Sequence, residues 1–229
     1  MNIAILLAAG SGKRMKSDIP KQFLEIDGKM IFKHSLDVFE RSAVIDGVVV
    51  VTDKDHVSFV EDETTEYGKV KAVIEGGAER YLSVIRGLLY IEENLPCDVV
   101  MIHDAARPYI DEEMLARLYE DTLKYDACIA AVPVKDTIKV ADKDGFIKET
   151  PERAMLYSAQ TPQCFKFSLV LDAYKKLVEK YLSEAKVTDD AQVVEMMTGS
   201  KVKLTLGSYS NNKITVPEDL PFCLFPPLL

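Results

Sequence analysis

Residues 2–15 read NIAILLAAGSGKRM, a strand-like apolar run over Asn2 to Leu7 that gives way to small residues, two glycines and a pair of cations. Short continuous apolar runs suit strands buried on both faces. Four more follow, at Gly47 to Thr52, Lys71 to Glu75, Val99 to His103 and Ala127 to Val132. Between them lie segments of helical spacing, carried by Ile31, Phe32, Leu36 and Phe39, by Leu82, Ile85, Leu88, Leu89 and Ile91, and by Leu115, Leu118, Tyr119 and Leu123. This alternation predicts an α/β fold with a mainly parallel sheet flanked by helices. Such sheets bind ligands at the carboxyl ends of their strands where strand order reverses, so the loops there are the place to look for chemistry.

The texture changes after Val134. Residues 136–150 form two short alternating runs around an Asp/Lys/Gly turn, which predicts a projecting β-hairpin arm. Helical stretches over Lys166 to Tyr181 and Asp189 to Thr198, then a strand over Lys201 to Leu206, return the chain to the body. With 229 residues and 48% apolar composition, the chain has enough material for one full core, and a single domain over 1–229 is the expectation. The tail from Pro221 to Leu229 contains three prolines and cannot continue as a regular helix.

A formal charge of -9 argues against a surface built to cover a nucleic-acid backbone, which needs clustered Lys and Arg. It leaves room for a small anionic substrate held by a few local cations. Cys97, Cys128, Cys164 and Cys223 lie far apart, without metal-ligand spacing, and read as reduced thiols of a cytoplasmic protein. The first apolar run is too short to span a bilayer and its charge follows it, unlike a signal peptide, so no membrane partner is expected.

Four stretches carry candidate chemistry. In the first, Ala8, Ala9, Gly10 and Gly12 let backbone N–H groups approach phosphate oxygens without side-chain obstruction. It is not a Walker A loop, because no Ser or Thr follows Lys13, and it lacks the third glycine of a dinucleotide fingerprint. A lone Gly-x-Gly is as well read as a tight turn. Arg14 and, a short loop later, Lys21 change that, since two cations converging on the loop are what a phosphate site needs. In the second, HDAARP at 103–108, Asp104 lies just past a buried strand, where a hard oxygen suits Mg²⁺. The bland alternative for Asp104 is a helix cap or a pair with Arg107, and Asp111 is the better cap. His103 is assigned to packing. In the third, Gly76-Gly77 leads into a helix, where Ser83 offers a hydroxyl to a base or ribose. The fourth gathers Arg153, Thr161, Thr188 and Lys213 from four polar segments, each of which is equally well read as solvated surface, toward a second pocket for a phosphorylated, hydroxylated substrate.

In order, LLAAGSGKRM, PKQFL, GG-x-x-R-x-x-S, HDAARP, PVKDT, QTPQ-x-F, TDDA and NKIT-x-PEDL resemble the 2-C-methyl-D-erythritol 4-phosphate cytidylyltransferase family over residues 2 to 220. The resemblance implies a Rossmann-like nucleotidyltransferase fold, a homodimer joined through the arm, Mg²⁺ as cofactor, and CTP and a polyol phosphate as substrates. It implies that Ala8 to Gly12 hold the CTP phosphates while Arg14, Lys21 and Lys213 stabilise charge at the α-phosphate. Asp104 would bind the metal, Arg107 would order its surroundings, and Gly77 and Ser83 would recognise cytosine and ribose. Arg153, Thr161, Thr188 and, more weakly, Thr137 would hold the acceptor, Arg153 by reaching into the neighbouring subunit. Ala78 departs from the pattern, standing where an acidic residue often follows the glycine pair. The proline-rich tail replaces the expected final helix.

Two rivals remain. Ribitol 5-phosphate cytidylyltransferases share fold, nucleotide and metal, although they commonly read LAGG, HDAVRPF and SDA where this chain reads LAAG, HDAARPY and TDDA. A non-catalytic nucleotide-binding regulatory module is the reading from another class, and the joint presence of Arg14, Lys21, Asp104 and Lys213 speaks against it. A dehydrogenase would need the third glycine and a later acidic ribose ligand.

Overall fold

The five apolar runs all become strands. A computed structural model describes residues 1–10, 15, 19–181 and 186–220. Along the chain come β1 (Asn2–Ala8), the short pair β2 (Glu25–Ile26) and β3 (Lys29–Met30), α1 (Ile31–Arg41), β4 (Gly47–Thr52), α2 (Val57–Glu63), β5 (Val70–Glu75), α3 (Arg80–Asn94), β6 (Val99–Asp104), α4 (Glu112–Tyr125) and β7 (Ala127–Pro133). There follow β8 (Val140–Ala141), β9 (Ile147–Glu149), β10 (Tyr157–Lys166), α5 (Phe167–Tyr181), α6 (Asp190–Thr198) and β11 (Lys203–Leu206).

Seven strands form one sheet in the order β11-β7-β10-β6-β1-β4-β5. β1 pairs in parallel with β4 and β6, β4 with β5, and β11 with β7. β10 runs antiparallel to both of its neighbours, β6 and β7. The sheet is therefore mixed and mostly parallel. Alternate side chains serve its two faces. Ile3, Ile5, Val49, Val51, Val100 and Ile102 pack with α3, α5 and α6, while Ala4, Leu6, Val48, Val50 and Met101 pack with α1 and α4. This two-sided burial is why the strands read as continuous apolar runs. Asp111 caps α4, accepting a hydrogen bond of 2.7 Å from the Met114 N–H, as expected.

β10 is the departure from the sequence reading, which took Gln160-Thr161-Pro162-Gln163 as pocket-lining polar residues without a strand. The ladder to β7 breaks register between Ala159 and Gln163, so Pro162, which has no N–H to give, sits at the irregularity. Gln160, Thr161 and Gln163 are nonetheless buried. The hairpin expected at 136–150 is present as β8 and β9, which pair only with each other, and residues 135–150 are exposed throughout. Cys128 and Cys164 are buried free thiols and Cys97 is partly buried. Cys223 and the rest of the tail lie outside the described residues. Among the described residues no helix is long and apolar enough to cross a membrane.

Candidate active site

Strand order reverses beside β1: the chain adds β4 and β5 on one side and then crosses to β6 on the other. Residues at the carboxyl ends of β1 and β6 are aligned here, with Leu7 opposite Asp104. A cavity of about 460 Å³ opens at this reversal, lined by Leu7, Ala9, Gly10, Lys21, Gly77, Arg80, Ser83, Asp104 and Lys213 among others. A second cavity, of about 220 Å³, is lined by Arg107, Thr161, Gln163, Thr188 and Asp189 and shares Arg80, Asp104 and Lys213 with the first. Two compartments thus meet at one carboxylate and two cations.

Asp104 is the hub. Its Oδ2 accepts a hydrogen bond of 2.6 Å from Lys213 Nζ, and its Oδ1 accepts one of 3.0 Å from Arg80 Nε. Burial alone would raise the pKa of this carboxyl. The charges of Arg80 and then Lys213, with their hydrogen bonds, outweigh burial and hold it well below the usual carboxylate range. The group is therefore ionised at neutral pH. Its backbone N–H donates to Thr161 Oγ1 at 3.1 Å, which ties the end of β6 to β10. The same hydroxyl lies 3.0 Å from His103 Nδ1, and His103 Nε2 lies 3.0 Å from the Arg107 carbonyl. Burial pushes the His103 pKa down to about 4, so the ring is neutral at pH 7 and serves to pack and brace this corner.

Arg80 is the residue that sequence reasoning left without a role, although it stands inside the quoted GG-x-x-R-x-x-S motif. Its two terminal nitrogens each donate at 2.8 Å to the fully buried carboxylate of Asp190, while Nε serves Asp104. Burial disfavours its charge, but Asp190 and then Asp104 reverse the effect and raise its pKa. Gln22 was likewise missed. It is buried and its amide donates to the Ala8 carbonyl at 2.6 Å, fixing the exit of β1.

The other expected residues divide by place. Ala9 and Gly10 face the larger cavity, and Ala8 is buried behind them. Gly12 and Arg14 lie outside the described residues. Lys21 lines the larger cavity and donates from Nζ to the Ile214 carbonyl at 2.9 Å. Arg107 lines the smaller cavity and donates to the Asn211 carbonyl at 2.8 Å, while its buried Nε has no hydrogen-bond partner among the described residues. Thr188, exposed at the rim, is held by Gln192 through its N–H at 2.7 Å and its hydroxyl at 3.1 Å. Thr137 and Arg153 line neither cavity. Both are exposed at the base of the hairpin, where Arg153 donates to the Lys135 carbonyl at 3.1 Å.

Ser83 is buried, and its hydroxyl accepts the Gly77 N–H at 3.1 Å, so it shapes the glycine turn from below. Gly77 has no space for a side chain: a Cβ there would come within 2.3 Å of Leu82 Cβ and 3.1 Å of the Leu82 backbone. Gly77→Ala is therefore expected to displace the turn, at an overpacking cost of about 1–3 kcal/mol. Measured nucleotide affinity should fall roughly tenfold or more, and unchanged affinity would show that the turn does not contact the nucleotide.

The chain matches the family model described as 2-C-methyl-D-erythritol 4-phosphate cytidylyltransferase over residues 2–225. Proteins of that name from Lachnospira eligens and Lachnoclostridium phytofermentans are 46% and 43% identical, over 96% of this chain and 96% and 93% of their own lengths. Among solved structures, the 4-diphosphocytidyl-2C-methyl-D-erythritol synthase of Anaerococcus prevotii superposes with a TM-score of 0.84 at 35% identity, covering 97% of this chain and 93% of that one. The 2-C-methyl-D-erythritol 4-phosphate cytidylyltransferase of Francisella tularensis superposes with a TM-score of 0.80 at 32% identity, covering 96% and 97%.

Proposed function

The chain belongs to the 2-C-methyl-D-erythritol 4-phosphate cytidylyltransferase family, and on that footing we propose that its larger cavity receives CTP and its smaller one the acceptor phosphate. The enzyme transfers CMP from CTP to 2-C-methyl-D-erythritol 4-phosphate, releasing pyrophosphate, in isoprenoid precursor biosynthesis. The observation that carries the assignment of cavities is their shared wall of Arg80, Asp104 and Lys213, where the two anions would meet.

The reaction is an in-line displacement. An oxygen of the acceptor phosphate attacks the α-phosphorus of CTP, and the bond from that phosphorus to the β-phosphate oxygen breaks. The attacking oxygen is already ionised, so no general base is required, which agrees with a neutral, enclosed His103. The protein's task is to position two anions and neutralise their repulsion. Ala8, Ala9, Gly10 and Gly12 are assigned to the phosphates of CTP. Lys21, Lys213 and Arg14 supply charge around the α-phosphate, and Arg107, on the wall of the smaller cavity, orders the surroundings of Asp104. Gly77 and Ser83 shape the base and ribose subsite, while Thr161 and Thr188 form one wall of the acceptor subsite.

Asp104 has the chemistry of a Mg²⁺ ligand: an ionised carboxylate on the wall of both cavities, each oxygen using one lone pair on a cation and keeping another. Mg²⁺ held there would supply further neutralisation of the phosphates. The assay for the whole reading is pyrophosphate release from CTP and Mg²⁺ with methylerythritol 4-phosphate or ribitol 5-phosphate as acceptor. Faster release with the first is expected. Faster release with the second would reassign the acceptor, and silence with both would favour a regulatory module.

Arg153, exposed and lining neither cavity of its own chain, is assigned to the acceptor subsite of a partner in a homodimer joined through the hairpin, with Thr137 as a weaker candidate. The apolar surface on and beside this hairpin, at Phe146, Ile147 and Met155, with exposures of 72%, 66% and 75%, supports burial against a second copy. In a twofold dimer, mixing inactive Arg153→Ala and Lys213→Ala proteins should restore roughly a quarter of wild-type activity, because half the dimers are mixed and each has one complete site. No recovery after subunit exchange would place Arg153 outside the partner's site.

A further inference from the structure

We propose that Tyr174, Asp190 and Gln163 form a positioning assembly that acts through Arg80 to set the orientation and charge balance of Asp104 for its divalent cation. The proposal rests on the reading of Asp104 as the metal carboxylate. It begins from a buried chain of contacts that nucleotide binding alone does not call for. Asp190, at the start of α6, is fully buried, and both of its oxygens are engaged by the guanidinium fork of Arg80 at 2.8 Å. Tyr174, fully buried on α5, donates its hydroxyl to Asp190 Oδ1 at 2.5 Å. Gln163 on β10 accepts the backbone N–H groups of Asp190 and Ala191, both at 3.0 Å, so the start of α6 is fixed to the sheet.

A planar guanidinium gripped at both terminal nitrogens cannot turn. Its Nε then has one direction available, toward Asp104 Oδ1 at 3.0 Å. The charges matter as much as the geometry. Asp190 and Asp104 share the charge of Arg80, so Arg80 orients Asp104 while only part of its charge falls there. If Asp190 were neutral, the full charge of Arg80 would fall on Asp104 and compete with the cation for the same carboxylate. Tyr174 contributes by holding Asp190 against the fork.

Two variants test this without touching substrate: Asp190→Asn, which keeps shape and removes charge, and Tyr174→Phe, which keeps the ring. Mn²⁺ serves as the probe, its free concentration followed by electron paramagnetic resonance with CTP present, alongside the Mg²⁺ dependence of pyrophosphate release. Partners of metal ligands typically affect metal affinity by 10–100-fold, so Asp190→Asn should weaken Mn²⁺ binding by about tenfold or more, and Tyr174→Phe by less, with parallel rises in the Mg²⁺ required. A purely structural role would lower the melting temperature and leave both titrations unchanged, and that result in folded variants overturns the proposal. If Asp190→Asn does not fold, Tyr174→Phe decides. A wild-type protein that is silent with CTP and both acceptors would instead overturn the underlying function.

Discussion

Lys213→Ala is expected to lower turnover by about three powers of ten while leaving a folded protein, on the scale of removing a group aimed at transition-state charge. Lys213 belongs to both cavities and holds Asp104 Oδ2 at 2.6 Å, so its ammonium stands where the two anions would converge. Its side chain is 37% exposed, so its contribution to stability through the ion pair is small. Its contribution to catalysis grows when substrates fill the cavities and exclude water, because charge interactions strengthen in a drier site. The loss should therefore appear in kcat more than in the affinity for CTP. Lys21→Ala and Arg14→Ala should behave in the same way. Turnover within tenfold of wild type for Lys213→Ala, with an intact melting transition, would remove Lys213 from the transfer step.

What the sequence made legible follows from how local the signals are. Parallel strands buried on both faces leave continuous apolar runs, and each such run was recognisable within a residue or two of its true ends. The small residues at the end of β1 and the carboxylate that ends β6 could be placed at one locus because the reversal of strand order follows from topology. β10 was hidden for a chemical reason. Its buried side chains are polar because Thr161 braces Asp104, Gln163 the start of α6 and Gln160 the backbone of Ser208, and Pro162 interrupts the run. Arg80 lacked a role because its partners lie 24 and 110 residues away, and nothing local distinguishes it from a solvated helix-start arginine. Ser83 shows the opposite limit: a hydroxyl that reads as a ligand contact is engaged in building the glycine turn on the cavity wall. Residues that line the two cavities were readable by type, whereas those that hold them required the third dimension.

Arg80→Ala should be the most destabilising single change at the site, costing about 3–5 kcal/mol at neutral pH, because it leaves two buried carboxylates without their shared cation. Among the described residues, Asp190 would keep the Tyr174 hydroxyl and Asp104 would keep Lys213. The sign of the pH dependence distinguishes this cause from lost packing. In the wild type, Asp104 has a folded-state pKa below its unfolded value, so its stabilising contribution is present above the unfolded pKa and is lost only as pH falls through the folded one. In the variant, Asp104 loses the charge that does most to hold its folded-state pKa down while its burial remains, so that pKa rises. Its stabilising contribution at neutral pH is then smaller, and the gap between variant and wild type should narrow as the pH falls through the variant's folded-state pKa. Denaturant unfolding at several pH values measures the gap directly, and a gap independent of pH would point to lost packing instead. Adding Asp190→Asn to Arg80→Ala removes one stranded charge and should recover part of the loss, so the double-mutant cycle should show strong coupling between the two positions. Additive losses would mean that the fork seen between Arg80 and Asp190 carries no net energy. In that case the burial of these charges would have to be explained by the site they orient, and not by the stability of the fold.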